Sequence, residues 1–184
     1  MKYTYFRLVL AVLLFLGGWQ IVSAETNELM VRCVAFYNLE NVFDTIHDEG
    51  KNDYEYLPDG GMKWTSLKYT NKIQNMAYAI AQLGTDEDPR GAAIVGVSEV
   101  ENIGCLHDLC KELKEKHNRN YVPILLEGPD RRGIDVGLLY NPDMFKPVGK
   151  PKGYELKAHY ADGGVVRSRL QLWVSGYMLD DSRK

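Results

Sequence analysis

The stretch AAIVGVSEVEN (residues 92–102) is apolar for six residues and then turns abruptly into carboxylates and an amide. A continuous apolar run of this length is what a strand buried on both faces requires. Earlier in the chain VAFYNLENVFD (34–44) does the same, with Val34 to Tyr37 apolar or aromatic, then Asn38, Glu40, Asn41 and Asp44. One such ending is an ordinary loop. Two of them predict one shared cation site, because the carboxyl ends of strands are where loops leave a rigid sheet and ligands sit. Mg²⁺ takes hard oxygen ligands and keeps several waters, so one or two carboxylates with a substrate phosphate suffice. Glu99 meets that requirement at the end of the first stretch, and Asn38 and Glu40 meet it at the end of the second. Glu101 is the competing acid, two residues beyond the apolar run and so less rigidly held. Composition and spacing leave the plain alternative, a surface loop that begins with acids, open for all of them.

Outward from these two strands the chain alternates. MVRCVAFYNL (30–39) is rich in β-formers. Residues 44–63 are acidic and broken by Gly50, Pro58, Gly60 and Gly61, which predicts a long loop at a functional rim. TSLKYTNKIQNMAYAIAQLG (65–84) reads as a helix capped by Thr65 or Ser66 and stopped by Gly84, with Tyr69, Ile73, Met76, Ile80 and Leu83 on one face. A second helix over about 102–116 carries Ile103, Leu106, Leu109 or Cys110, and Leu113 on one side. YVPILLE (121–127), IDVGLLY (134–140) and SRLQLWVSGYML (168–179) read as further strands. This order predicts a layered α/β fold and leaves the order of strands in the sheet open.

The first 24 residues stand apart. Two positive charges, an apolar run and the small-residue pattern VSA before Glu25 predict a secretory signal peptide cut after Ala24. The mature chain, 25–184, is long enough for one domain with a core, destined for the periplasm or the outside of the cell. Its removal takes away Lys2 and Arg7 and no acid, so the net charge moves from −3 to −5. A chain of this sign has no general attraction for nucleic acid or anionic membrane and must hold phosphate through a local basic cluster or a metal. Cys33, Cys105 and Cys110 give an odd count, read as buried free thiols.

The motifs FYNLENVFD, IVGVSEVEN and RRGIDVGLLYNPDMF, in this order and spacing, resemble the N-terminal half of the endonuclease/exonuclease/phosphatase superfamily, over about residues 31–179. The resemblance implies half of a four-layer α/β sandwich: a mixed β-sheet with helices on its outer face, the second sheet missing. It implies hydrolysis of phosphate esters with Mg²⁺, or Mn²⁺, held by Glu99 with Glu40 approaching. Asn38 and Asp135 fall at catalytic positions, and Arg131, Arg132, Arg167 and Arg169 beside the substrate. Nucleic acid, nucleotide and phospholipid esters all stay open as substrates.

The departure from the family pattern lies later in the chain. The histidine, G-D-F-N-like and S-D-H-like segments that supply the water-activating groups do not occur, and His47, His107, His117 and His159 fall in helices or loops. The expectation is therefore a fragment, inactive alone, with no membrane span in its mature form and with an apolar sheet face bare. Such a face makes residues 25–184 marginal, aggregation-prone or self-associating. The alternative reading is a catalytically dead binding module or gene remnant of the same fold.

Overall fold

Alternation of strand and helix patterns along the chain becomes a β-sheet with two helices on one side in a computed structural model, which describes residues 30–166 and 168–180. Val31–Lys184 form one compact unit. Its strands are β1 (Val34–Val42), β2 (Ile94–Val100), β3 (Val122–Leu125), β4 (Asp135–Tyr140), β5 (Phe145–Tyr154) and β6 (Gln171–Met178). Its helices are α1 (Ser66–Ala81) and α2 (Ile103–His117), with a short 3₁₀ turn at Tyr54–Tyr56 inside the long loop. The signal peptide expected over residues 1–24 lies outside the described residues, as does Arg167. No helix among the described residues is long and apolar enough to cross a membrane.

Both helix starts follow from their capping residues. The Thr65 side chain accepts the Lys68 amide at α1, and the Asn102 side chain accepts the Cys105 amide at α2. Each satisfies one of the amides that a helix N-terminus leaves without a partner. Past α1, Gly84 takes φ +74°, and a Cβ there would meet the Cys33 Cβ at 2.6 Å. A left-handed turn pressed against a neighbouring chain is a position for glycine. At the far end of α2 the cap is Asn118 at φ 54°, with Lys114, Lys116 and His117 in the last turn to complement the helix dipole.

The four-stranded sheet runs in the order β1-β2-β4-β3. β1 and β2 are parallel, joined through α1, while β4 is antiparallel to both β2 and β3. Pairing register sorts side chains onto two faces. Val95, Val97 and Leu139 are fully buried and pack with Ala77, Ile80, Leu106, Leu109 and Leu113 of the helices. Opposite them Val34, Ile94, Tyr140 and Val122 form one row, Phe36, Gly96, Leu138 and Ile124 the next, and Asn38, Ser98 and Val136 a third. On that second face Val34 is 62% and Phe36 67% exposed. The mixed sheet with helices on one side agrees with the sequence reading, as a partial α/β fold.

β5 is the element that sequence reasoning missed. FKPVGKPKGY holds two prolines and two interior glycines, which argue against a strand inside a sheet. Among the described residues it pairs only with β6, in a two-stranded antiparallel ribbon whose register breaks between Val148 and Lys152, around Gly149 at φ +75°. A ribbon with free edges tolerates missing ladder donors. Cys33, Cys105 and Cys110 are all free thiols. Cys105 and Cys110, five residues apart, both reach the core, because α2 is covered by the sheet on one side and by α1 on another.

Candidate active site

The carboxyl ends of β1 and β2 are irregular in a way that sets side chains. Pairing is regular up to Asn38 opposite Ser98 and resumes only at Val42 opposite Val100. There Leu39, Glu40 and Asn41 of β1 span the single residue Glu99, and against β4, where Ser98 faces Val136 and Val100 faces Asp135, Glu99 has no counterpart. Glu99 is the extra residue, a β-bulge, with φ 62°. Glu40 and Asn41 on β1 carry φ 55° and 63°. Left-handed backbone at residues with a side chain is uncommon and costs free energy that the surroundings must over-determine. Here two such departures lie side by side at neighbouring strand ends.

The bulge gives Glu99 a partly exposed carboxylate whose one hydrogen-bond partner among the described residues, at 3.5 Å, is Nη1 of Arg169, from the segment leading into β6. Asn38 Oδ1 accepts the Ser98 hydroxyl at 3.0 Å and the Glu40 amide at 3.2 Å. Two donors on the amide oxygen orient the side chain with its NH₂ group outward on an exposed residue. Lys72 of α1 completes the rim. Its ammonium donates to the Glu40 carbonyl at 2.9 Å, and burial lowers its pKa while Glu40 and Glu99 oppose the shift. The structure thus brings Asn38, Glu40, Glu99 and Arg169 to one end of the sheet. Lys72 and Ser98 join them unforeseen. The step of Lys72 beside the apolar row Tyr69, Ile73 and Met76 was the available signal, since it flanks the helix face that meets the sheet.

Asp135 opens β4 at the same strand end, facing Val100 beside Glu99. It is 1% exposed and accepts the Gly128 amide at 2.9 Å, and burial pushes its carboxyl up to about 6. From there it fixes the turn that carries Arg131 and Arg132. Arg132 reaches Asp130 at 3.6 Å, and both Arg131 and Arg132 are exposed.

A second acidic group, Asp44, Glu101 and Cys105, gathers its ligand atoms within 4.8 Å of one another. Glu101 is 3% exposed and accepts the Asp44 amide at 2.7 Å. Asn102 Nδ2 donates to the Asp44 carboxylate at 3.1 Å. Far from being loosely held, Glu101 is fastened into the start of α2. Burial pushes its carboxyl up to about 8 and the Cys105 thiol up to about 12. A thiol among the donors and the burial of Glu101 make this group a softer and more closed set than Mg²⁺ ordinarily takes. The oxygen donors of Glu99 and Glu40, one partly open and one exposed, fit that ion.

The sequence model of the Endonuclease/Exonuclease/phosphatase family matches residues 33–183. The chain belongs to the endonuclease/exonuclease/phosphatase family. The match takes in β1, β2, β4 and the whole of the site just described. Members of this family in general hydrolyse phosphoesters and typically use divalent metals. No curated protein matches the chain.

Proposed function

We propose that this chain carries the metal- and phosphate-binding part of an exported Mg²⁺-dependent hydrolase of phosphate esters, with Mn²⁺ the alternative ion. The observation that supports it most is Glu99, an acid set by a bulge at the end of a central strand, its carboxylate met among the described residues only at 3.5 Å by Arg169. In this reading Glu99, with Glu40 as second carboxylate, holds the ion. Such an ion neutralises charge on phosphoryl oxygens and acidifies a bound water. Asn38 donates from its outward NH₂ to a phosphoryl oxygen, while Arg169, Arg132, Arg131 and Arg167 bind substrate. Asp135 acts as a positioning residue through Gly128. Export to the periplasm or beyond rests on the signal pattern of residues 1–24.

The 184 residues alone bind without turning over. No histidine among the described residues hydrogen-bonds Asn38, Glu40 or Glu99, so no imidazole stands ready to take a proton from water there. The open sheet face carries self-association of the chain. A panel of phosphodiesters and phosphomonoesters, assayed with Mg²⁺ and Mn²⁺, tests both parts. Mn²⁺ and at least one ester are expected to bind the 184-residue chain, and no ester is expected to turn over. Turnover by the chain would contradict the second part. Failure to bind Mn²⁺ together with every ester would contradict the first.

A further inference from the structure

Beside the Glu99 rim lies a cleft of about 870 Å³ lined by Gly50, Lys51, Asn52, Pro129, Asp130, Arg131 and Arg132. Two loops distant in sequence make it, and they are clasped by backbone. The Asn52 amide donates to the Arg131 carbonyl at 2.8 Å. The Gly133 amide donates to Asp130, and the aliphatic stem of Lys51 lies against Gly133, where a Cβ would meet Lys51 Cγ at 3.1 Å. The lining is thereby fixed in shape before any ligand arrives.

Charge in the cleft is unequally committed. Asp130 Oδ1 already takes the Arg132 amide at 2.9 Å and lies 3.6 Å from Arg132 Nε. Asp48 and the buried Asp135 lie in the field of Lys51, and Glu127 in that of both acids. Among the described residues the Lys51 ammonium makes one long hydrogen bond, 3.5 Å to the Gly128 carbonyl. The Arg131 guanidinium meets no acceptor among the described residues. One ammonium and one guanidinium from different loops thus face a polar cleft with their donors largely unspent. The cleft adjoins the candidate site through its own turn, since Asp135, which holds the Gly128 amide, faces Val100 beside Glu99.

We propose that Lys51 and Arg131 form a subsite for a second phosphate group of the substrate, one removed from the phosphate handled at Glu99. The assignment rests on the phosphoester reading above and narrows it. Substrates carrying at least two phosphates are preferred, whether along an oligonucleotide or on one sugar. Lys51 supplies a point charge and Arg131 a planar fork that matches two phosphate oxygens.

Binding tests it without turnover. A fluorescent oligothymidylate is titrated against the full chain over a salt series, with a sugar bisphosphate and p-nitrophenyl phosphate as competitors. Lys51→Ala and Arg131→Ala are each expected to weaken oligothymidylate binding about tenfold. Each should also flatten the plot of log K against log salt by about 0.7, the value for one phosphate contact on a single strand. The bisphosphate should compete better than the monophosphate, and the double variant should erase that preference. Oligothymidylate that the bisphosphate fails to displace would assign the subsite to a nucleic-acid strand, and displacement at stoichiometric bisphosphate to a small ester. Unchanged affinity and slope in both variants would overturn the proposal. Loss of Mn²⁺ binding in Glu99→Gln, measured on the same samples, reports on the phosphoester reading separately, so either can fail while the other stands.

Discussion

On the helix side of the sheet Val95, Val97 and Leu139 are completely buried, while across the same strands Val34 and Phe36 are 62% and 67% exposed. One face is closed by Ala77, Ile80, Leu106, Leu109 and Leu113. The other carries Asn38 and Ser98 at its end and is only partly covered elsewhere. The same β-formers therefore serve two purposes. The closed face supplies the free energy that holds the bulges at Glu40, Asn41 and Glu99 in left-handed backbone, and the open face presents what those bulges aim.

If that division is right, truncation on the closed face should do the most damage. Leu106→Ala removes a fully buried side chain between helix and sheet and should cost about 2–5 kcal/mol in chemical denaturation. A loss below about 1 kcal/mol would mean that the helices are not the main cover. Two glycines on opposite faces make a sharper pair. A Cβ at Gly137 would meet Leu106 Cδ1 at 2.7 Å and Val97 Cγ2 at 3.2 Å, inside the closed core. At Gly96 it would meet the ring of the exposed Phe36 at 2.8 Å, which can swing aside. Gly137→Ala is expected to cost about 1–3 kcal/mol and Gly96→Ala less than about 0.5 kcal/mol. Equal costs would show that the open face is packed as tightly as the closed one.

The sequence carried more of the closed face than of the open one. Helix spacing from Tyr69 to Leu83, the apolar run of β2 and the Thr65 cap were all legible, because burial against one partner imposes a period and an end signal. Strand order was not, since register and crossing depend on contacts distant in sequence. β5 was hidden by Pro147 and Pro151, which a free-edged ribbon accepts and an interior strand would not. At the site, Glu99, Asn38 and Glu40 were legible as polar residues ending apolar strands. The bulges that aim them were not, because a left-handed Glu or Asn leaves no mark in composition. Glu101 was misjudged for the same reason. Its fastening comes from the Asp44 amide and from its neighbour Asn102, contacts that spacing does not reveal.

Smaller effects follow from charge. The folded Glu101 carboxyl sits at about 8, raised from 4.5 chiefly by burial, with Asp44, Asp48 and Asp53 adding to the shift. The folded state therefore holds a proton that the unfolded chain releases, so its contribution is complete below pH 4.5 and fades as pH rises to 8. Glu101→Gln should flatten the fall of melting temperature across that window, and an unchanged pH profile would remove the burial argument. Smallest of all in stability is the open face itself. Val34→Ser with Phe36→Ser should leave the melting temperature nearly unchanged. In sedimentation the double variant should stay monomeric at concentrations where the parent chain associates. Association that persists in it would move the contact away from this face.

The central claim is that the open end of β2, and not the acidic group buried at the start of α2, is the metal centre. Mn²⁺ binding followed by electron paramagnetic resonance on Glu99→Gln and Glu101→Gln tests it directly. The account predicts that Glu99→Gln loses the bound-ion signal and Glu101→Gln keeps it. The reverse pattern, with Mn²⁺ retained in Glu99→Gln and lost in Glu101→Gln, would contradict it.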